Sequence, residues 1–189
     1  MCHPPKPPVI YQSRNSVRET RVGALKAALW TGAAGGAYKP ARSSRKDPML
    51  GRSELDPQEA LVCTMVLTAA AESGGITDQE IGVMATLVQT LPVFAGFSSD
   101  RLQHAANAAV RLLREEEGLA IAGRLIRDSL PSRLRETAYT LACEVVAAGD
   151  AHGQAILRML EFLGGELRLD ALVMAAIERG TRARYQRPE

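Results

Sequence analysis

The run from Ala60 to Ala71 limits what this chain can become more than any other stretch, because only Thr64 and Thr68 are polar within it. A surface helix keeps a polar stripe, whereas a segment that is apolar nearly all round has to be enclosed by other elements. At about twelve residues it is too short to span a bilayer, which takes ~20. It therefore predicts a central helix. Its start is marked: Asp56 can accept from a first-turn N–H, Pro57 suits the first helical position, and Glu59 completes a capping box.

After the polar turn Glu72-Ser73-Gly74-Gly75, a second capping box, Thr77-Asp78-Gln79-Glu80, opens an amphipathic helix carrying Ile81, Met84, Leu87, Val88 and Leu91. Pro92 ends it, since the residue before a proline avoids helical angles. Helical spacing then continues to the end of the chain. Ser98 or Ser99 caps a third helix whose core face runs Leu102, Ala105, Ala106, Ala109, Val110 and Leu113. Gly118 and Pro131 bracket a fourth, through Leu119, Ala122, Leu125, Ile126 and Leu130. A fifth carries Leu134, Ala138, Leu141, Ala142, Val145 and Val146 into the turn Gly149-Asp150-Ala151-His152-Gly153. A sixth uses Ile156, Leu157, Leu160, Leu163 and Leu167. A seventh, capped by Asp170, uses Leu172, Val173, Ala176 and Ile177.

Ala and Leu dominate, and aromatics make up only 4%, a composition that favours helices over sheet. The expected fold is all-α, a bundle of about seven helices in two pseudo-repeated helical halves. The repeat is one of pattern: Glu59 to Glu72 and Glu136 to Gly149 are each a mostly apolar helix entering a short Gly/acidic turn, at an offset of 77 residues.

Charge divides the chain. Residues 1–50 carry nine Lys/Arg against two acids, and residues 51–189 carry 14 against 19. The expected organisation is a basic, Pro- and Gly-containing, mostly disordered extension over 1–53, a helical domain over 54–185 and a frayed tail over 186–189. The Arg- and Ala-rich start mimics a targeting peptide, but Lys26 interrupts its apolar stretch. A basic tail can touch acidic surfaces. A solvated extension is the simpler expectation, and no nucleic-acid partner and no transmembrane segment are predicted. Cys2, Cys63 and Cys143 are too widely spaced for a zinc site or a disulfide framework.

Catalytic signatures are missing: there is no His-Glu-x-x-His, Cys-x-x-Cys, Gly-x-Ser-x-Gly or Gly-x-Gly-x-x-Gly. His3, His104 and His152 are isolated, without a sequence-adjacent orienting partner. The expectation is a protein that is not an enzyme. The one chemical constellation is acidic. Glu72, Asp78 and Glu80 flank the first turn, and Asp150 sits in the second. Carboxylates on Gly-rich turns suit hard cations such as Ca²⁺ or Mg²⁺. Asp78 and Glu80 are equally accounted for as first-turn acids that complement the helix dipole and close a capping box.

Several blocks resemble the TerB-like family of tellurite-resistance proteins. They are Glu59-Ala60-Leu61-Val62 through Thr64-Met65-Val66-Leu67 to Ala70-Ala71-Glu72, then Ile76-Thr77-Asp78-Gln79-Glu80 and Leu91-Pro92-Val93-Phe94. Leu134 to Cys143 and Ala175-Ala176-Ile177-Glu178-Arg179-Gly180 look like the family's second half, so the resemblance spans roughly residues 54–185. It implies a cytoplasmic, all-helical module of a tellurite- or stress-resistance system. The implied partners are other proteins of a stress-resistance complex, with a divalent cation held by Glu72, Asp78, Glu80 and Asp150. The chain departs from the family pattern in ways that weaken the cation site. Glu72 stands where Asp is usual, the second turn reads Ala148-Gly149-Asp150, and Ala155-Ile156 occupy places where a Glu is expected. The implied site is weak or degenerate, and the alternative is a protein–protein interaction module without metal.

Overall fold

Asp56 opens the central helix as predicted. Its Oδ1 accepts from Gln58 N at 2.9 Å while its own N–H donates to Glu59 Oε2 at 3.2 Å, a complete capping box. The computed structural model describes residues 55–71, 76–149 and 153–188. Among them the chain forms α1 (Pro57–Ala69), α2 (Asp78–Thr90), a 3-10 turn (Pro92–Phe94), α3 (Ser99–Leu112), α4 (Gly118–Ser129), α5 (Ser132–Ala148), α6 (Gln154–Leu167) and α7 (Ala171–Arg184), with no strand. The extension expected over residues 1–53 lies outside the described residues. None of the described helices is long and apolar enough to cross a membrane.

Every residue of α1 from Ala60 to Ala69 is buried. Its two hydroxyls meet no water, so each turns back on the helix. Thr64 Oγ1 donates to Ala60 O and Thr68 Oγ1 to Thr64 O, both at 2.9 Å. The enclosure is literal: α1 packs against α2, α3, α4, α5 and α6, most extensively against α5. Val62, Met65, Val66 and Leu67 from α1 meet Leu141 and Val145 from α5 in one core.

The α7 helix is different. It packs mainly on α5 and buries only Thr181. Three features hold it. Tyr139 OH on α5 donates to Glu178 Oε1 at 2.6 Å. Glu144 on α5, 2% exposed, accepts from Arg184 Nη1 through Oε1 and from Tyr185 OH through Oε2 at 2.7 Å. Gly164 on α6 leaves a hollow for Met174, whose sulfur lies 2.2 Å from where a Cβ would stand.

The expected faces are corrected in places. Leu172, expected on the apolar face of the last helix, is 81% exposed, and Leu157 on α6 is 55% exposed. The α7 helix is instead turned so that Met174, Glu178 and Thr181 face inward; Gly164 receives Met174 and Tyr139 binds Glu178, which sets the face that Thr181 shares. Val146 is half-buried where burial was expected. On α3, Ala108 and Leu112 are buried while Val110 and Leu113 are half-buried, a rotation of the core face from the predicted one.

Candidate functional site

The first acidic turn enters α2 through Thr77, whose extended backbone frees its side chain for capping. Thr77 N and Thr77 Oγ1 both donate to Glu80 Oε2 at 2.7 Å, and Glu80 N donates to Thr77 Oγ1 at 3.3 Å. Glu80 is thereby folded back against its own helix and is only 6% exposed. What covers it is the end of α5. Gly149 closes that helix, its N–H shared between Val145 O at 3.3 Å and Val146 O at 3.2 Å. A Cβ on Gly149 would stand 3.4 Å from Glu80 Oε1. A side chain at 149 would therefore begin in van der Waals contact with the carboxylate.

The four predicted cation ligands are thus placed unequally. Glu80 is buried between α2 and α5, with Oε2 committed to the cap and Oε1 turned toward Gly149. Asp78 is exposed on the first turn of α2. Glu72 and Asp150 lie outside the described residues, though Asp150 directly follows Gly149 in the chain. Among the described residues no group of three or more His, Cys, Asp or Glu is arranged to hold a metal ion. The carboxylate that could contribute to a cation here is Glu80, through Oε1.

Sequence reasoning passed over a second polar cluster, formed by Tyr139 and Glu144 on α5 with Glu178, Arg184 and Tyr185 at α7. Burial first, and then the bond to Glu178, hold the Tyr139 hydroxyl far above its ordinary range. Burial and then the Glu144 bond push Tyr185 up to about 12. Cys143 beside them is pushed to about 12, chiefly by burial and further by the charges of Glu178 and Glu144. Cys63 reaches about 12 by burial alone. Both thiols therefore stay protonated at neutral pH and are inert as nucleophiles. The signal that could have revealed the cluster was Glu144 itself, a charge set between Cys143 and Val145 in an apolar run, since such a residue is buried only with a partner.

No family model, curated protein or solved structure matches the chain. The resemblance to TerB-like proteins accordingly rests on the short sequence blocks.

Proposed function

We propose that the chain is a non-catalytic, cytoplasmic helical module of the TerB-like kind. In this reading it serves a tellurite- or stress-resistance system by binding partner proteins, with a weak Ca²⁺ or Mg²⁺ position drawn from the acids of its two turns. The two helical halves are then α1–α2 and α5–α6, each contributing one turn. The observation that supports this reading is the approach of Gly149 to Glu80. It brings the end of α5, which leads into the second turn, against the carboxylate of Glu80 at the start of α2; in the sequence Asp150 follows Gly149 directly and Glu72 precedes α2.

The test is calorimetric titration of the full chain with Ca²⁺ and with Mg²⁺. Binding in the range of ~10⁻⁴–10⁻³ M, as for low-affinity calcium modules, is the expected result. Ala155→Glu restores an acid on the exposed first turn of α6 and should tighten it. An interaction module without metal is the second reading. It is favoured by the completeness of the Thr77–Glu80 cap, which accounts for Glu80 Oε2 with no cation at all. Flat titrations of both the wild type and Ala155→Glu would select it.

A further inference from the structure

A cleft of about 550 Å³ opens between α5, α6 and the C-terminal half of α7, a volume within the usual range for small-molecule sites. Its walls are apolar: Val146 from α5 and Ile156, Leu157 and Leu160 from α6. The exposure of Leu157 and the partial exposure of Val146 are both on this cleft. Two polar side chains reach it from one face of α7, Glu178 and Thr181, three residues apart and so one turn from each other.

Thr181 is the telling one. It is 5% exposed, yet its hydroxyl makes no hydrogen bond among the described residues. Thr64, Thr68, Thr86, Thr90 and Thr140 all donate to the carbonyl four residues back; Thr181 does not. Its oxygen is not among the fully enclosed polar atoms left without a partner, so it opens on the cleft that Thr181 lines, where a ligand can take the place of water. Glu178 is in a similar position. Its Oε1 accepts from Tyr139, and its Oε2 has no partner among the described residues. The floor therefore presents a spare carboxylate oxygen and a spare hydroxyl, both able to accept, beside apolar walls. Tyr185 adds an aromatic face, held in place by its bond to Glu144. Arg182, an exposed residue, is the one cation among the lining residues.

We propose that this cleft binds a small organic monoamine, its ammonium group donating to Glu178 Oε2 and Thr181 Oγ1 and its apolar body lying on Val146, Ile156, Leu157 and Leu160. An ammonium carries three donors and no acceptor, which complements this floor as a carboxylate could not. A charge-assisted bond to Glu178 supplies the larger part of the selectivity, and the Tyr185 ring suits a cation beside it. Arg182 lines the same cleft, so one added ammonium is balanced by Glu178 alone, and a second positive charge has no acid among the lining residues to meet it, which sets monoamines apart from diamines.

The test uses the full chain and four probes of one length: hexylamine, hexanol, hexanoate and 1,6-diaminohexane. Binding is read by calorimetry and by backbone amide shifts. Hexylamine should move the amides of Glu178 and Thr181, with the diamine severalfold weaker and hexanol and hexanoate weaker still. Glu178→Gln, which can still accept from Tyr139, should weaken hexylamine roughly tenfold or more, the size expected for a bond to a charged group. Thr181→Val, equal in shape, should weaken it by roughly three- to tenfold. Nα-acetyl-lysine N-methylamide carries the same ammonium on a polar backbone and should bind at least several-fold more weakly than hexylamine. Equal binding would assign the cleft to a protein lysine and overturn the small-amine reading. The proposal also fails if hexanoate shifts Glu178 and Thr181 as hexylamine does, or if a folded Glu178→Gln keeps wild-type affinity. The comparison of the four probes needs no variant, so it decides the matter even if a substitution unfolds the chain.

Discussion

Tyr185, the residue that closes α7, donates its hydroxyl at 2.7 Å to Glu144 Oε2 in the buried face of α5. The same carboxylate takes Arg184 on its other oxygen, so the last turn of α7 is fastened to the bundle by one buried acid. Removing the hydroxyl with Tyr185→Phe leaves a buried carboxylate oxygen unpaired. That costs about 1–3 kcal/mol, read from urea unfolding. Adding Glu144→Met should recover much of the loss, because removing both partners leaves no orphaned acceptor and Arg184 already reaches solvent. A single-variant cost below ~0.5 kcal/mol would mean that the hydroxyl bond is not holding the helix.

The α1 helix has no such dependence on polar ties. Met65 is fully buried between α1 and its neighbours, and Met65→Ala should cost about 2–5 kcal/mol, the range for truncating a long apolar side chain in a packed core. Leu172→Ala is the control. At 81% exposure it should shift stability by less than ~0.5 kcal/mol. Equal effects at the two positions would contradict the placement of both helices.

Alkaline pH should unfasten the fold earlier than its composition suggests. Cys63 and Cys143 are raised from 9.0 to about 12, Tyr185 from 10.0 to about 12, and Tyr139 is raised further. In each case the folded state holds its proton while the unfolded chain releases it. The stability these groups contribute is thus complete below pH 9 and is lost progressively as pH rises toward 12. For fully buried Cys63 the slope is on the order of 1 kcal/mol per pH unit above 9. Denaturant midpoints at pH 8, 9, 10 and 11 should fall steadily. Cys63→Ala should start lower and fall less steeply; an unchanged slope would show that its thiol ionises in the folded state as freely as in the unfolded one.

Helix starts were the most legible part of the fold, because caps are local chemistry. Asp56 with Glu59, Thr77 with Glu80, Ser98 and Asp170 all cap as their spacing predicts. The enclosure of α1 was legible because a segment without a polar stripe has only one environment open to it. The orientation of α7 was not. Leu172 with Ala176 and Met174 with Ile177 are both acceptable helical faces, and the choice is made by Gly164 and Tyr139, residues on other helices. The same holds for the polar groups. The cap of Glu80 spans three residues, whereas Glu144 finds Arg184 and Tyr185 at separations of 40 and 41, beyond any local pattern. The meeting of Glu80 with Gly149 lay between these cases: the two turns stood out separately in the sequence, but the contact of these two residues depends on how α2 lies on α5.

That contact allows capping and cation binding at Glu80 to be separated by one substitution. Glu80→Gln keeps a carbonyl oxygen where Oε2 now accepts from Thr77 N and Thr77 Oγ1, and glutamine serves a capping box as glutamate does. Its added NH₂ falls on the side of Gly149 and removes the negative charge there. The melting midpoint should therefore move little. The loss of first-turn charge beside the helix dipole is worth only about 0.3–1 kcal/mol. A divalent cation should lose the enclosed carboxylate of Glu80, and the heat of Ca²⁺ or Mg²⁺ titration should fall severalfold relative to wild type. Glu80→Ala is the complementary variant, because it removes cap and charge together and should lower both stability and cation heat. If Glu80→Gln leaves the cation heat intact while Glu80→Ala lowers only stability, Glu80 is a helix cap and the junction of the turns is a protein contact without metal.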